Sequence, residues 1–440
     1  MSAATALSPT DAGAILFGVF FLLLFLRVPV AFALGLACLP ILLIEPHLTA
    51  MSLVQETFNA YNSFILLAVP FYLLAANLMN VGGITDRLVR LSRALVGHFP
   101  GALAQVNVVL SIFFAGISGS STADAASQGK IFIEAQRKEG YDDSFNAAIT
   151  AVSAVLAVIV PPSILMIVWG GVLTVSIGGL FLAGVIPGLA IGLVQMATVH
   201  VYAKARGYPT YPRATLVEGI KAFGVSVPAL LTPVIIIGGK IFGWFTPTEA
   251  ACIAVLYAIA LAVFVYREMT ARGLHDALLD TGRFAAVTLF CVGTASAFGW
   301  LLAYYQIPKA IIESVMVWEM GPIGTGFFIA AAFLVVGCFL DAIPAIIIVG
   351  TILEPLAKAV GIHPIHFAMI GIVSLAFGLV TPPYGLCLLI SCSIANIRVV
   401  DALRDTLIML TPMFGVLVLV ILWPDFVLIL PKLISPEFLK

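Results

Sequence analysis

The stretch GISGSSTADAASQG, residues 116–129, decides the fold, because it breaks an apolar run that begins at Gly101 with a polar segment of small residues. Both of its flanks are basic. Arg87, Arg90 and Arg93 precede it at helical spacing in DRLVRLSRALVGH, and Arg137 and Lys138 follow it in IFIEAQRKEGYDDS. Basic flanks mark the cytoplasmic side, so two of them predict a segment that enters the membrane and returns: a re-entrant hairpin with a polar tip. The other reading is an outer loop between two full spans. Against it, Lys130 to Phe132 is too short to cross a hydrocarbon core of ~30 Å before Glu134.

The next apolar segment, 147–173, is interrupted by Val160-Pro161-Pro162-Ser163. Two consecutive prolines remove two helix donors and bar the preceding residue from helical geometry, so this helix must break in mid-membrane. The same sequence of features returns later in the chain. Adding 221 to a first-half number pairs Gly116 with Gly337, Ser120 with Asp341, Gly129 with Gly350, Gly140 with Gly361, Ser153 with Ser374, and Pro161 and Pro162 with Pro382 and Pro383. With small shifts Leu73-Leu74-Ala75 pairs with Leu301-Leu302-Ala303, and Pro29 with Pro247. The expected organisation is a first repeat over 1–213 (scaffold spans 12–97, hairpin 101–139, broken helix 147–173) and a second over 214–440 (scaffold spans 224–305, hairpin 324–356, broken helix 367–397).

Charge places the repeats. No Lys or Arg precedes the first span, Ala12 to Leu26, and Arg27 follows it, so the N-terminus is expected outside. No basic region or small-residue cleavage site frames that span, which reads as a retained helix and not as a signal peptide. Arg87, Arg90 and Arg93 then belong to a cytoplasmic amphipathic helix. The second repeat starts from the cytoplasmic Lys204 to Lys221 region and shows Arg267 and Arg272 after its second span. It therefore begins on the opposite side, and the repeats are inverted. The second hairpin, with its tip at Leu340-Asp341-Ala342-Ile343-Pro344, should open outside, and a last span, Thr406 to Trp423, should put the C-terminus there too.

Composition agrees. Of 440 residues 62% are hydrophobic and 10% charged, against about 25% charged in a soluble chain; mean hydropathy is +1.14. The fold class is an all-α polytopic membrane protein with two inverted-topology repeats, each carrying a re-entrant hairpin and a proline-broken helix. A net charge of −1 argues for no nucleic-acid partner, while membrane lipid is a necessary one. The six cysteines, Cys38, Cys252, Cys291, Cys338, Cys387 and Cys392, lie in apolar segments without a CxxC and read as packing residues. The chain contains no H-E-x-x-H, G-x-S-x-G or P-loop, which speaks against an intramembrane enzyme and an intrinsic ATP-driven motor. Inverted repeats with discontinuous helices are instead the architecture of secondary transporters, with substrate and coupling ion held near the midplane. Non-helical backbone survives in a membrane only where it lines a cavity or is buried in protein. The freed carbonyls there suit sodium, and helix N-termini suit an anion.

Four pieces carry a family resemblance: SGSSTADAASQG (118–129), VPPS (160–163), TPTEAA (246–251) and GIHPIHFAMI...GLVTPPYG (361–385). Together they spread over nearly all of the chain. It resembles the large membrane subunit of tripartite ATP-independent periplasmic (TRAP) transporters, the DctM-like family of the ion transporter superfamily. The resemblance implies a sodium-driven, elevator-type importer of organic acid anions in the bacterial inner membrane, with Na+ as coupling ion. Its implied partners are a small four-helix membrane subunit and a soluble periplasmic substrate-binding protein. C4-dicarboxylates come first as substrate, and sialic or other sugar acids second. The alternative is a self-sufficient sodium-coupled anion transporter, or a channel with the same hairpin fold.

Two symmetry-related sodium sites are expected. One joins the first tip to the first break, through Ser118, Gly119, Ser120, Ser121, Val160 and Pro161. The other joins the second tip to the second break, through Gly337, Asp341, Gly378, Thr381 and Pro382. The substrate is expected between the tips, near Ser121, Thr122, Asp124, Ser163, Asp341, Ala342, Tyr384 and Gly385. A charge at the depth of Asp124 costs about 2.5 kcal/mol or more unless compensated, which marks it as functional; the rival reading is a cap on the return helix. Small residues at the tips also permit close helix packing without any ligand. Glu249 is open to a gate, a proton path or a simple cap, Lys240 to snorkelling at the outer face, and His363 and His366 lack further ligands for a metal.

Overall fold

The computed structural model describes residues 7–317 and 319–439, and the described residues are helical throughout, with no strand among them. In chain order the first half contains α1 (Pro9–Phe25), α2 (Val30–Ala37), α3 (Leu39–Ile44), α4 (Ala50–Tyr61), α5 (Ala68–Val81), α6 (Ile84–Val96), α7 (Ala102–Ser118), α8 (Ser121–Lys138), α9 (Asp143–Ala154), α10 (Leu156–Ile159), α11 (Ile164–Val172) and α12 (Ile177–Arg206). The second contains α13 (Leu216–Ile241), α14 (Pro247–Ala260), α15 (Ala271–Tyr304), α16 (Ile307–Met316), α17 (Pro322–Gly337), α18 (Ala342–Ala345), α19 (Thr351–Ala359), α20 (Pro364–Gly378), α21 (Leu386–Ala395), α22 (Val399–Leu422) and α23 (Asp425–Ile434). Among the described residues seven helices are long and apolar enough to cross a membrane, or eight if the bent pair Asp143–Ile159 and Ile164–Val172 is one span. Its two parts meet at 43° across the proline break.

The hairpin predicted at 101–139 is present as α7 and α8, but its turn is shorter than the polar segment suggests. Only Gly119 and Ser120 lie outside helix. Gly119 closes α7 at φ +62°, a left-handed conformation that glycine adopts without strain. Ser120 is the extended residue that opens α8. The stretch from Ser121 to Gly129 is therefore the first half of a helix, and its small residues serve packing: a Cβ on Gly129 would meet Ile394 Cδ1 of α21 at 2.7 Å. Asp341 opens α18 in the same way, its carboxylate accepting from the Ala342 amide at 2.8 Å. The offset of 221 thus pairs residues of equal structural role. The return arm of the second hairpin is less regular, passing through a π-helical turn at Ile346–Gly350 before α19.

Inversion of the repeats is visible along α12, which at 30 residues is about 45 Å long. Near its start a Cβ on Gly179 would stand 2.6 Å from Ile365 Cδ1, at the head of α20 and the base of the second hairpin. At its far end Arg206 pairs with Asp142, at the base of the first hairpin. The two hairpins therefore enter from opposite ends and meet tip to tip. The expected outer placement of the first residues falls partly on 1–6, which lie outside the described residues.

Hairpins and broken helices interlock into one unit. Within the first, Ser111 donates to Gln128 at 2.7 Å and Asn107 to Thr150 at 3.1 Å. Across the halves, Arg137 donates to the Ala395 carbonyl at 2.7 Å, and Trp169 packs on Phe333 and Phe367. A second group forms around α5, α14 and α15, tied by Asn77 to Thr281 at 2.8 Å. The site lies where these two groups face each other.

Candidate substrate and cation site

Each tip is stitched to its own break through the backbone. Gly119 O accepts from Ile164 N at 3.2 Å, so the first turn rests on the residue just after Val160–Ser163. A Cβ on Gly119 would stand 2.9 Å from Pro162 O, which leaves room for glycine alone. In the second half Cys338 O accepts from Tyr384 N at 3.2 Å and Gly385 N at 3.4 Å. Gly337 and Gly378 touch backbone to backbone there, with a Cβ on Gly378 2.7 Å from Gly337 C. Both expected pairings of tip with break are thus present in space.

Between the tips and the second group of helices lies a cavity of about 190 Å³. Gly119, Ser120, Ser121 and Thr122 line it from one tip and Asp341, Ala342 and Ile343 from the other. Opposite stand Val69 and Leu73 of α5 and Phe284, Val287 and Thr288 of α15. Nothing in the sequence marked the α15 residues, which lie far from either tip along the chain in an ordinary apolar helix. Their only signal is the position of their helix in the tertiary fold.

Asp124 sits one turn into α8 behind the cavity wall. It is 1% exposed, and neither carboxylate oxygen has a hydrogen-bond partner. The Ser118 hydroxyl lies beside it without meeting hydrogen-bond geometry. Ser120, not Asp124, occupies the cap; Asp124 lies in the first turn of α8, where its amide donates to Ser120 O at 3.0 Å. Cys387, at the start of α21, lies beside Ser121 and within electrostatic reach of both Asp124 and Asp341. A buried carboxylate without a partner, next to hydroxyls and a bent backbone, is a donor set of hard oxygens that fits a sodium ion.

Other expected residues stand elsewhere. Ser163 is fully buried and committed locally, donating to Val158 O at 2.8 Å and capping α11 through Met166 N. The Thr381 hydroxyl donates to Phe377 O at 2.7 Å. Tyr384 is 52% exposed and does not line the cavity, and Pro382 and Gly385 turn the chain beside it. Val160 and Pro161 form the break and leave the contact with Gly119 of the tip to Pro162 and Ile164. For Ser163 and Thr381 the reason is shared: once the prolines open the helix, their hydroxyls satisfy nearby backbone carbonyls.

Glu249 forms a reciprocal capping box with Thr246, accepting from its amide at 2.7 Å, while Thr246 accepts from the Glu249 amide. The geometry supports the cap. Glu249→Gln, which preserves the box, is expected to leave uptake unchanged, whereas Thr246→Ala costs about 1 kcal/mol of stability; thermal unfolding and uptake measured on both variants check this. Lys240 lines a separate cavity with His363 and the C-terminal Phe438. His363 bonds to backbone through both ring nitrogens, and His366 Nε2 lies 2.7 Å from Val420 O.

Inverted hairpins that meet at a cavity carrying hydroxyls and one carboxylate, between two helix groups, define a multi-pass membrane transporter. Residues 17–426 match the family model described as the DctM component of the tripartite ATP-independent periplasmic transporter. The chain belongs to this family. It is 38% identical over 93% of its length to the sialic acid TRAP transporter large permease protein SiaM of Vibrio cholerae, covering 96% of that protein. It is 36% identical over 91% of its length to the C4-dicarboxylate TRAP transporter large permease protein DctM of Pseudomonas aeruginosa, covering 94% of it. Among solved structures the YdaH transporter of Alcanivorax borkumensis shares the fold at a TM-score of 0.53 and 13% identity, over 85% of this chain and 88% of that one.

Proposed function

We propose that this permease imports organic acid anions across the bacterial inner membrane, driven by sodium. The observation that carries this reading is the buried, unpartnered Asp124 behind a cavity walled by both tips. No Arg or Lys lines that cavity. An entering carboxylate therefore relies on the Ser120, Ser121 and Thr122 hydroxyls and on the free amides at the start of α8. Asp341, half-buried in the wall, repels the anion until a cation sits beside it. Sodium and substrate thereby favour each other's binding, which is what symport requires. Movement is of the elevator type: the interlocked hairpins and broken helices slide as a unit past the group around α5, α14 and α15. The repeats divide between residues 213 and 214, and both termini face the periplasm. In support, Leu439 lies on His363, at the base of the hairpin expected to open outside.

The named relatives point to two substrate classes, sialic acid and C4-dicarboxylates. The small cavity favours the C4 acid. A soluble periplasmic binding protein delivers it and a small four-helix membrane subunit accompanies the permease; the alternative is a permease that works alone. Uptake of labelled succinate and of labelled N-acetylneuraminate into proteoliposomes, with and without a sodium gradient, tests the reading. Transport that persists without the gradient overturns coupling, and transport that needs no added binding protein favours the self-sufficient alternative. Asp341→Asn is expected to weaken sodium dependence while leaving some uptake at high substrate, read from the same assay.

A further inference from the structure

The basic helix α6 has no part in the proposed transport cycle, yet it forms one wall of a conspicuous groove. Arg87, Arg90 and Arg93 from α6, Arg213 from the 207–215 linker and Lys221 from α13 line an open cavity of about 490 Å³. Arg87 is paired with Glu268 at 2.7 Å. Arg90, Arg93, Arg213 and Lys221 have no ion pair among the described residues, although Arg93 lies over the Tyr211 ring. The one carboxylate in the lining, Glu218, is held by the capping box with Thr215. Four cations thus share a groove with one anion, Glu218, which is held in its capping box and lies within reach of Lys221; Arg90, Arg93 and Arg213 have no ion pair among the described residues.

The position of the groove says what kind of anion suits it. Its lining also includes the apolar Ala94, Ala222 and Val225, and it lies at the head of α13. That helix is an apolar span of which only 22% is buried. Leu216, Val217, Ile220 and Phe223 are each more than half exposed immediately beside the basic residues. A charged concavity continuous with an uncovered apolar helix matches an amphiphile with an acidic head and long tails. We infer that the groove between α6, the linker and α13 holds the phosphate headgroup of an anionic phospholipid whose acyl chains run along α13.

The whole permease, purified with any partner subunit retained, tests this by native mass spectrometry with added phosphatidylglycerol or phosphatidylcholine. The expected result is selective retention of phosphatidylglycerol, reduced about tenfold or more in Arg90→Gln/Arg213→Gln, at roughly 1 kcal/mol for each basic contact. Neither arginine has an ion pair to lose. Should the double variant not unfold cooperatively, each single variant is read instead, with retention expected to fall about fivefold. Equal retention of phosphatidylcholine, or unchanged retention in the variants, overturns the inference. So does stabilisation of the detergent-solubilised protein by inorganic phosphate alone, which would mark a site for a soluble anion. Retention that appears only after a partner subunit is stripped away would mark a protein interface, and equally overturns it.

Discussion

Replacing Asp124 by asparagine raises the sodium concentration needed for half-maximal uptake by about 100-fold or more, because removing one member of a buried charge pair costs about 3–5 kcal/mol. Asparagine keeps the shape of the side chain, so α8 and its contacts remain. The carboxylate is 1% exposed and unpartnered, and an ionised group in that state destabilises the ion-free protein. Asp124→Asn is therefore expected to melt at or above the wild-type temperature without sodium, and to lose the increment that sodium gives the wild type. Uptake and thermal unfolding against sodium concentration read both effects. A variant with unchanged sodium dependence removes Asp124 from the cation site.

Gly378→Ala abolishes uptake and lowers stability by about 3 kcal/mol or more, at the upper end of what overpacking a core costs. The added methyl would stand 2.7 Å from both Gly337 C and Gly337 Cα and 2.9 Å from Leu334 O. All three are backbone atoms, so relief requires α17 and α20 to part, and the second tip moves away from its break. Gly415→Ala, where nothing lies within 4 Å of the new carbon, is the control and is expected to be neutral or slightly stabilising. The comparison is made by thermal unfolding and size-exclusion profile. Equal behaviour of the two variants would show that the Gly337–Gly378 contact bears no strain.

Polarity and proline were the readable signals. GISGSSTADAASQG announces a hairpin because polar residues are costly in lipid, and VPPS announces a break because proline lacks a donor; both elements stand where those rules put them. Less legible was the division of labour within the motifs. Ser121 to Gly129 reads as a loop from its polarity, yet forms helix, because α9 and α21 cover its small residues and remove the lipid that made polarity expensive. Ser163, Thr381 and Tyr384 have the chemistry of ligands, but the first two spend their hydroxyls on local backbone and the third faces outward.

By itself the sequence determined a polytopic helical membrane protein made of two related halves, since hydropathy, charge bias and proline positions act locally or at a fixed offset along the chain. Only the tertiary structure decided which residues share the site. It brought Gly119 to Thr122 against Asp341 and Ala342, and set Phe284, Val287 and Thr288 opposite them. It also left Asp124 buried without a partner. Proximity between residues more than 200 positions apart depends on how complete helices pack, and packing is a property of surfaces assembled from the whole chain.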